Sequence, residues 1–331
     1  MNKKIYVIGV LLLVLASAIV KAQEVTKPTQ GDEKIISATN LVTVNVIVTD
    51  SSGNYVQGLR REQFAVTDEK VKQQIAHFSD EAAPVSVAIV CELHNSSVAR
   101  TRAMLTALKQ FTRGLNTTDD FFFLAFSSQG SVASEFVPTA DQVLDHLANV
   151  KPGGPGSLYD AVYLAADRLR KARNLKKTIL IVSDGEDESS RTTFKELRNR
   201  LREFDVQIYA VGIANPAIAQ TANYGRWEYE DVTRQTGRRH FANESSMGRA
   251  VLAEMARVSG GATYFPESEN EPGLAGIFAQ ISLELRHQYT IGFYSTEQNT
   301  RNEWHRIRVH ANAGSRQLEL SYRQGYRRAN R

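Results

Sequence analysis

The stretch Lys177–Ser190, KTILIVSDGEDESS, decides the fold. An apolar run, Ile179–Val182, stops abruptly at Ser183-Asp184-Gly185-Glu186-Asp187. A run of the same texture lies upstream. Val85–Ser97, VSVAIVCELHNSS, also ends in an acid, Glu92, and continues into small hydroxyl residues. Short β-branched runs with no polar alternation are strands buried on both faces, as in a parallel sheet. Ligand sites in open α/β sheets lie beyond the carboxyl ends of the strands, which is where both runs place their acids.

Working outward from these strands, the texture from Pro84 onward alternates between strand and helix. Strands are expected at Val85–Cys91, Phe121–Phe126, Thr178–Ser183, Val206–Ile213 and Thr263–Phe265. Helices are expected at Ser97–Leu115, Thr139–Val150, Leu158–Ala172, Thr193–Phe204, Gly248–Val258 and Leu274–Leu285. This rhythm predicts an α/β domain over residues 83–287, doubly wound, with a mostly parallel sheet covered by helices on both faces. Residues 215–247 interrupt it with a polar segment too long for an ordinary connection, bearing Tyr224, Trp227 and Tyr229.

The two ends read differently. In residues 37–82, Val42, Val44, Val46 and Val48 alternate with Thr43, Asn45, Ile47 and Thr49, and short strands follow at Phe64–Thr67 and Ile75–Phe78. No helix of any length is expected there. Residues 288–328 return to strands at Gln288–Tyr294, His305–Ala311 and Leu318–Tyr322. The simplest assembly packs the two ends into one small β-sandwich, with the α/β domain inserted between them.

Residues 1–22 have the pattern of a secretory signal peptide: Lys3 and Lys4, an apolar stretch from Ile5 to Val20, and small residues around Val20-Lys21-Ala22. The apolar stretch is short for a spanning helix, and an uncleaved leader is the one route to a membrane. Residues 23–36 read as a linker. The chain carries 40 basic against 36 acidic residues, and leaving out Lys3, Lys4 and Lys21 of the leader brings it close to neutrality. Arg323, Arg327, Arg328 and Arg331 are expected to form a solvated basic tail. Basic and aromatic residues do not interleave as nucleic-acid binding needs, so that partner class is excluded. Cys91, the single cysteine, permits no internal disulfide and reads as a small buried hydrophobe.

The acid-tipped first strand, the Gly153–Ser157 loop before Leu158-Tyr159-Asp160-Ala161, and the strand ending Ser183-Asp184-Gly185-Glu186-Asp187 together resemble a von Willebrand factor type A domain. The β segment from Val42 to Phe78, with Tyr289–Tyr294 and Arg323–Tyr326, is similar to the ends of a bacterial exported subgroup of that family. The resemblance spans roughly residues 37–328 and implies a Rossmann-like fold and a protein-binding or adhesion role. It also implies a metal-ion-dependent adhesion site, whose motif falls here on Glu92, His94, Ser96, Gly156 with Ser157 beside it, and Asp184.

Three of these positions depart from the family. Glu92 is one methylene longer than Asp, about 1.5 Å, and Mg²⁺ demands close octahedral geometry. His94 replaces a hydroxyl and suits Zn²⁺ better than Mg²⁺. Gly156 offers no side chain. The site is therefore expected to be degenerate, holding at most one divalent cation: Mg²⁺, Ca²⁺ or Mn²⁺, or Zn²⁺ on Glu92, His94 and Asp184.

Plainer readings stand beside these. Asp184 serves as a turn former and cap for the helix near Thr193. Asp160 sits at the positive end of its helix, and Glu186 and Asp187 are exposed loop acids. His94 is an ordinary loop residue. Tyr224, Trp227 and Tyr229 are either partner anchors or tucked onto the domain. The Gly153–Ser157 cluster lacks the Lys-Ser/Thr ending of a phosphate loop, and no nucleophile elbow or His-Glu-x-x-His is present. The expected function is an exported, non-catalytic module binding a protein ligand in the envelope or extracellular space. The alternatives are a metal-independent scaffold or assembly protein of the cell envelope and, last, a metal-dependent hydrolase.

Overall fold

The computed structural model describes residues 41–79, 83–92, 98–127, 130–134, 136, 156–213, 245–266, 271–296 and 304–327. These residues fall within a single compact unit spanning Asn40–Arg331. The leader, the linker, the expected helix at Thr139–Val150 and the insertion at 215–247 lie outside the described residues. Among the described residues no helix is long and apolar enough to cross a membrane.

In chain order the elements begin with β1 (Leu41–Asp50), a 3-10 turn (Arg61–Gln63), β2 (Phe64–Asp68), β3 (Val71–Gln73) and β4 (Ile75–Ser79). The α/β part follows with β5 (Val85–Glu92), α1 (Val98–Arg113), β6 (Asp120–Ser127), β7 (Gly130–Ala133) and α2 (Leu158–Leu169). It continues with β8 (Lys176–Ser183), α3 (Phe194–Leu201), β9 (Gln207–Gly212), α4 (Ser245–Ser259), β10 (Thr263–Tyr264) and α5 (Glu271–Arg286). The chain closes with β11 (Gln288–Tyr294), β12 (Trp304–Ala311), β13 (Leu318–Ser321) and β14 (Gly325–Arg327). The short strands β3, β7 and β14 and the 3-10 turn were not expected.

The central sheet has the order β10-β9-β8-β5-β6-β7. All its pairings are parallel except β6 with the edge strand β7. Side chains alternate across it as the pleat requires. Ala88, Val90, Ile179 and Ile181 join α2, α3 and α4 in one core, while Val87, Ile89, Leu180 and Val182 join α1 and α5 in the other. Cys91 lies fully buried in the second core. In α5 the buried residues Leu274, Phe278, Ile281 and Leu285 recur at helical spacing, which gives the helix one apolar stripe.

Both chain ends build the sandwich. One sheet runs β13-β1-β11-β4 and the other β14-β12-β2-β3. β1 and β11 pair antiparallel from Leu41↔Tyr294 to Ile47↔Gln288, although the whole α/β part separates them in sequence. Val44, Val46, Phe64, Val66, Ile291, Phe293, Ile307 and Val309 fill the space between the sheets.

The junction with the α/β part is pinned by polar groups. Asp119 accepts the Val85 N–H at 2.8 Å, where the chain enters, and is paired with the guanidinium of Arg286, where it leaves. Lys176 Nζ donates to the carbonyls of Leu285 (3.1 Å) and Gln288 (3.3 Å). The expected basic tail needs correcting here. Arg323 is buried, donating to the Thr43 carbonyl and pairing with Asp205 at 3.1 Å. Arg327 pairs with Glu203 at 3.5 Å, and its N–H donates to the Arg202 carbonyl. These arginines lock the last strand to α3 and its flank. Arg328 and Arg331 lie outside the described residues.

Candidate functional site at the carboxyl edge of the sheet

The register Cys91↔Val182 brings the next residue of each strand, Glu92 and Ser183, side by side. By the alternation of the strands both side chains point to the face covered by α2. Glu92 is 2 % exposed, and its Oε2 accepts from the Ser183 hydroxyl (2.7 Å) and the Asp184 N–H (3.0 Å). Ser183 Oγ in turn accepts the Gly185 N–H at 3.0 Å. Burial pushes the Glu92 carboxyl up to about 8; the adjacent Asp184 charge adds to this, against the bonds from Ser183 and the Asp184 amide.

Asp184 stands half-buried beyond the strand end. Its Oδ1 accepts the Glu186 N–H at 2.9 Å, so it forms its own turn. It does not cap the next helix. Thr193 does that, with Glu196 completing a reciprocal capping box. The turn at Gly185 adopts φ +86°, and a Cβ there would stand 2.2 Å from the Gly248 carbonyl oxygen. The strand tip therefore packs backbone to backbone on α4, a contact that only glycine admits at both positions.

Two loops are laced together beneath this edge. The Gly156 carbonyl accepts the N–H groups of Glu188 (2.9 Å) and Ser189 (3.0 Å). Asp187 accepts the Tyr159 N–H at 2.9 Å, and Ser190 Oγ accepts the Asp160 N–H at 3.0 Å. Asp160 returns the favour by accepting from Arg191 (2.9 Å) and Thr192 (3.0 Å). Glu186 and Asp187, expected to be exposed, are half-buried, and Asp187 supplies the cap of α2 from across the loop. Ser157 occupies the N-cap position yet makes no side-chain capping bond. Burial raises the Asp187 carboxyl against its bonds from Ser190 and Tyr159. Burial also opposes ionisation of Asp160, but the donors of Arg191 and Thr192 outweigh it and hold that carboxyl below its usual range.

Of the sequence-predicted site, Glu92, Gly156, Ser157 and Asp184 are brought to this edge, whereas His94 and Ser96 lie outside the described residues. Tyr224, Trp227 and Tyr229 do so as well. A Cβ on Gly156 would stand 3.3 Å from Glu92 Oε1 and 3.5 Å from the Phe126 ring. The longer Glu92 side chain thus uses the room that a side chain at 156 would need. Ser183 was not foreseen as a site residue. Its one signal in the sequence was its place between an apolar run and Asp184.

Among the described residues, Glu92, Gly156 and Asp184 do not by themselves make a Mg²⁺-type cage. Such a cage needs several oxygens converging on one point at ~2.0–2.1 Å. Here Glu92 Oε2 is already engaged by two donors, Asp184 Oδ1 is engaged in its turn, and Gly156 supplies nothing. Among the described residues no group of three or more His, Cys, Asp or Glu side chains is placed to hold a metal.

Comparison with known proteins finds similarities at low identity. Among solved structures, an aerotolerance-related membrane protein from Bacteroides fragilis shares 14% identity, with 61% of this chain and 98% of that chain covered and a TM-score of 0.43. A von Willebrand factor type A protein from Catenulispora acidiphila shares 10%, covering 88% and 75%, with a TM-score of 0.47. The pilus adhesin SpaC of Lactobacillus rhamnosus GG, in its open conformation, shares 10%, covering 83% and 49%, with a TM-score of 0.46. No curated protein matches the chain. Residues 85–231 match the von Willebrand factor type A domain family. The parallel sheet flanked by helices, which this match enters at the first residue of β5, is a von Willebrand factor type A-like fold.

Proposed function

We propose that this protein is an exported, non-catalytic protein-binding module whose recognition edge is the carboxyl end of the central sheet and works without a resident divalent cation. The observation that carries the reading is the Glu92 carboxyl turned inward onto Ser183 and the Asp184 amide. A metal-dependent edge needs that carboxylate turned outward. The non-catalytic reading is supported by Ser183, which is fully buried and donates its proton to Glu92, so it is not available as a nucleophile. The family match supports a protein partner, and the leader pattern of residues 1–22 supports export and an envelope or extracellular place of action.

Thermal-shift titration with Mg²⁺, Ca²⁺, Mn²⁺ and Zn²⁺, together with metal content, tests the metal-free edge. The unmodified chain is expected to show no shift. The double variant Glu92→Asp with Gly156→Thr is expected to gain one, because a site at 100 times Kd adds about 2.7 kcal/mol of stability. A stoichiometric metal in the purified unmodified chain, or a melting temperature that falls with EDTA, would sink the proposal. Capture of envelope proteins by crosslinking is expected to survive EDTA and to be lost in Asp184→Ala. Capture indifferent to both leaves the scaffold role, with recognition on another surface.

A further inference from the structure

At the opposite edge of the parallel sheet, where the strands begin, a cleft of about 390 Å³ opens between β1, the turn after it, β13, α5 and the Gly261-Ala262 turn that precedes β10. This is the small end of the range for ligand pockets. Its lining includes Ile47, Tyr55, Gln280, Glu284, Glu319 and Leu320. The turn owes its tightness to Gly261, where a Cβ would meet the Ile208 carbonyl oxygen at 1.9 Å.

Glu284 is 8 % exposed. Its carboxylate accepts from the Tyr264 phenol, and its charge acts on the phenols of Tyr209 and Tyr55. Gln280 Nε2 donates to Glu284 Oε1 (3.3 Å) and to the Tyr55 hydroxyl (2.7 Å). All of these partners are neutral. Burial first, and then the Glu284 charge itself, push the three phenols above their ordinary range, so they remain neutral donors. Glu319 stands exposed on the rim, and no Lys or Arg is among the residues lining the cleft.

A buried carboxylate is expensive unless a cation balances it. Here the fold supplies neutral donors and leaves an opening toward solvent beside Tyr55, whose ring stacks on the His287 imidazole with centroids 5.0 Å apart and is a surface that attracts cations. We propose that this cleft binds an organic cation, an ammonium or guanidinium on a short aliphatic stem. The charged head sits against Glu284 and the Tyr55 ring, the stem lies along Ile47 and Leu320, and Glu319 draws the cation in. The proposal is independent of the Glu92 edge and stands or falls separately from the metal-free reading.

Calorimetric titration of the purified chain with 1,5-diaminopentane, Nα-acetyl-lysine methylamide and the neutral 1-pentanol is the test. The two amines are expected to bind with a Kd on the order of 1 mM, and the alcohol at least about tenfold more weakly. Glu284→Gln is expected to weaken both amines about tenfold or more, and Glu319→Gln, an exposed rim residue, about two- to threefold. Tighter binding of the blocked lysine marks a side chain of a protein partner as the source, and tighter binding of the diamine a free polyamine; either supports the cleft. Equal affinity for alcohol and amines overturns it, as does amine binding unchanged in both variants. If Glu284→Gln unfolds the chain, Glu319→Gln and the alcohol comparison decide, and no difference in either overturns the proposal.

Discussion

Glu92 turns its carboxyl back onto its own sheet. The longer side chain reaches into the space left at Gly156 and returns to its own sheet, where Ser183 and the Asp184 amide hold it. Its proton links this arrangement to pH. An unfolded glutamate loses its proton near the ordinary value of 4.5, whereas the folded one keeps it to about 8. Between those values the folded state alone holds the proton, so stability falls as pH rises through the window, by up to a few kcal/mol. Glu92→Gln is expected to flatten that decline. Melting temperatures of the variant and the parent from pH 4.5 to 8 check it, and parallel curves would refute it. Gly185 yields a second expectation at this scale. Alanine there meets both a positive φ and the Gly248 carbonyl, so Gly185→Ala is expected to cost at least about 2 kcal/mol in denaturant unfolding.

At the scale of elements, α2 takes its N-terminal cap from a loop that follows β8. Ser157 is in the sequence position for a cap, and a local reading assigns it that role. The fold assigns it to Asp187 and Ser190, because the loop is already drawn in by the Gly156 carbonyl. Asp187→Ala is expected to lose about 1 kcal/mol, as for other helix caps, and to loosen amide protection in residues 158–161 by hydrogen exchange. Unchanged protection there would mean that the lacing carries no stability. Among the described residues, the longer strands and helices of the α/β part were legible because they are strongly patterned. The lacing between loops was not, since it joins residues about thirty positions apart by single hydrogen bonds.

At the scale of the whole molecule, the sandwich and the α/β part share a junction dense in buried polar groups. Asp119 holds both chain crossings at once, through the Val85 N–H and the Arg286 guanidinium. Removing one partner of a buried pair strands the other, so Asp119→Ala is expected to cost about 3–5 kcal/mol. Calorimetry should then show the sandwich and the α/β part melting separately, whereas the parent is expected to melt in one transition. A single transition in the variant would show that the apolar contacts alone couple them.

What the sequence by itself determined is the parallel sheet, its two-sided cover and the return of the chain ends to a common sandwich. The first two follow from hydrophobic period and run length, which are local and repeated over many residues; the third is the simplest assembly of two β ends. The sequence also placed Glu92, Gly156 and Asp184 at one edge, since an acid at the end of a buried strand has nowhere else to go. Only the tertiary structure decided what that edge does with its carboxylates. Whether Glu92 faces outward or folds onto Ser183 depends on the strand register and on room beside Gly156. The same holds for Arg323 and Glu284, charges whose burial is set by segments far away in the chain. Period records which face a residue takes, but the partner of a buried charge is a matter of three-dimensional proximity.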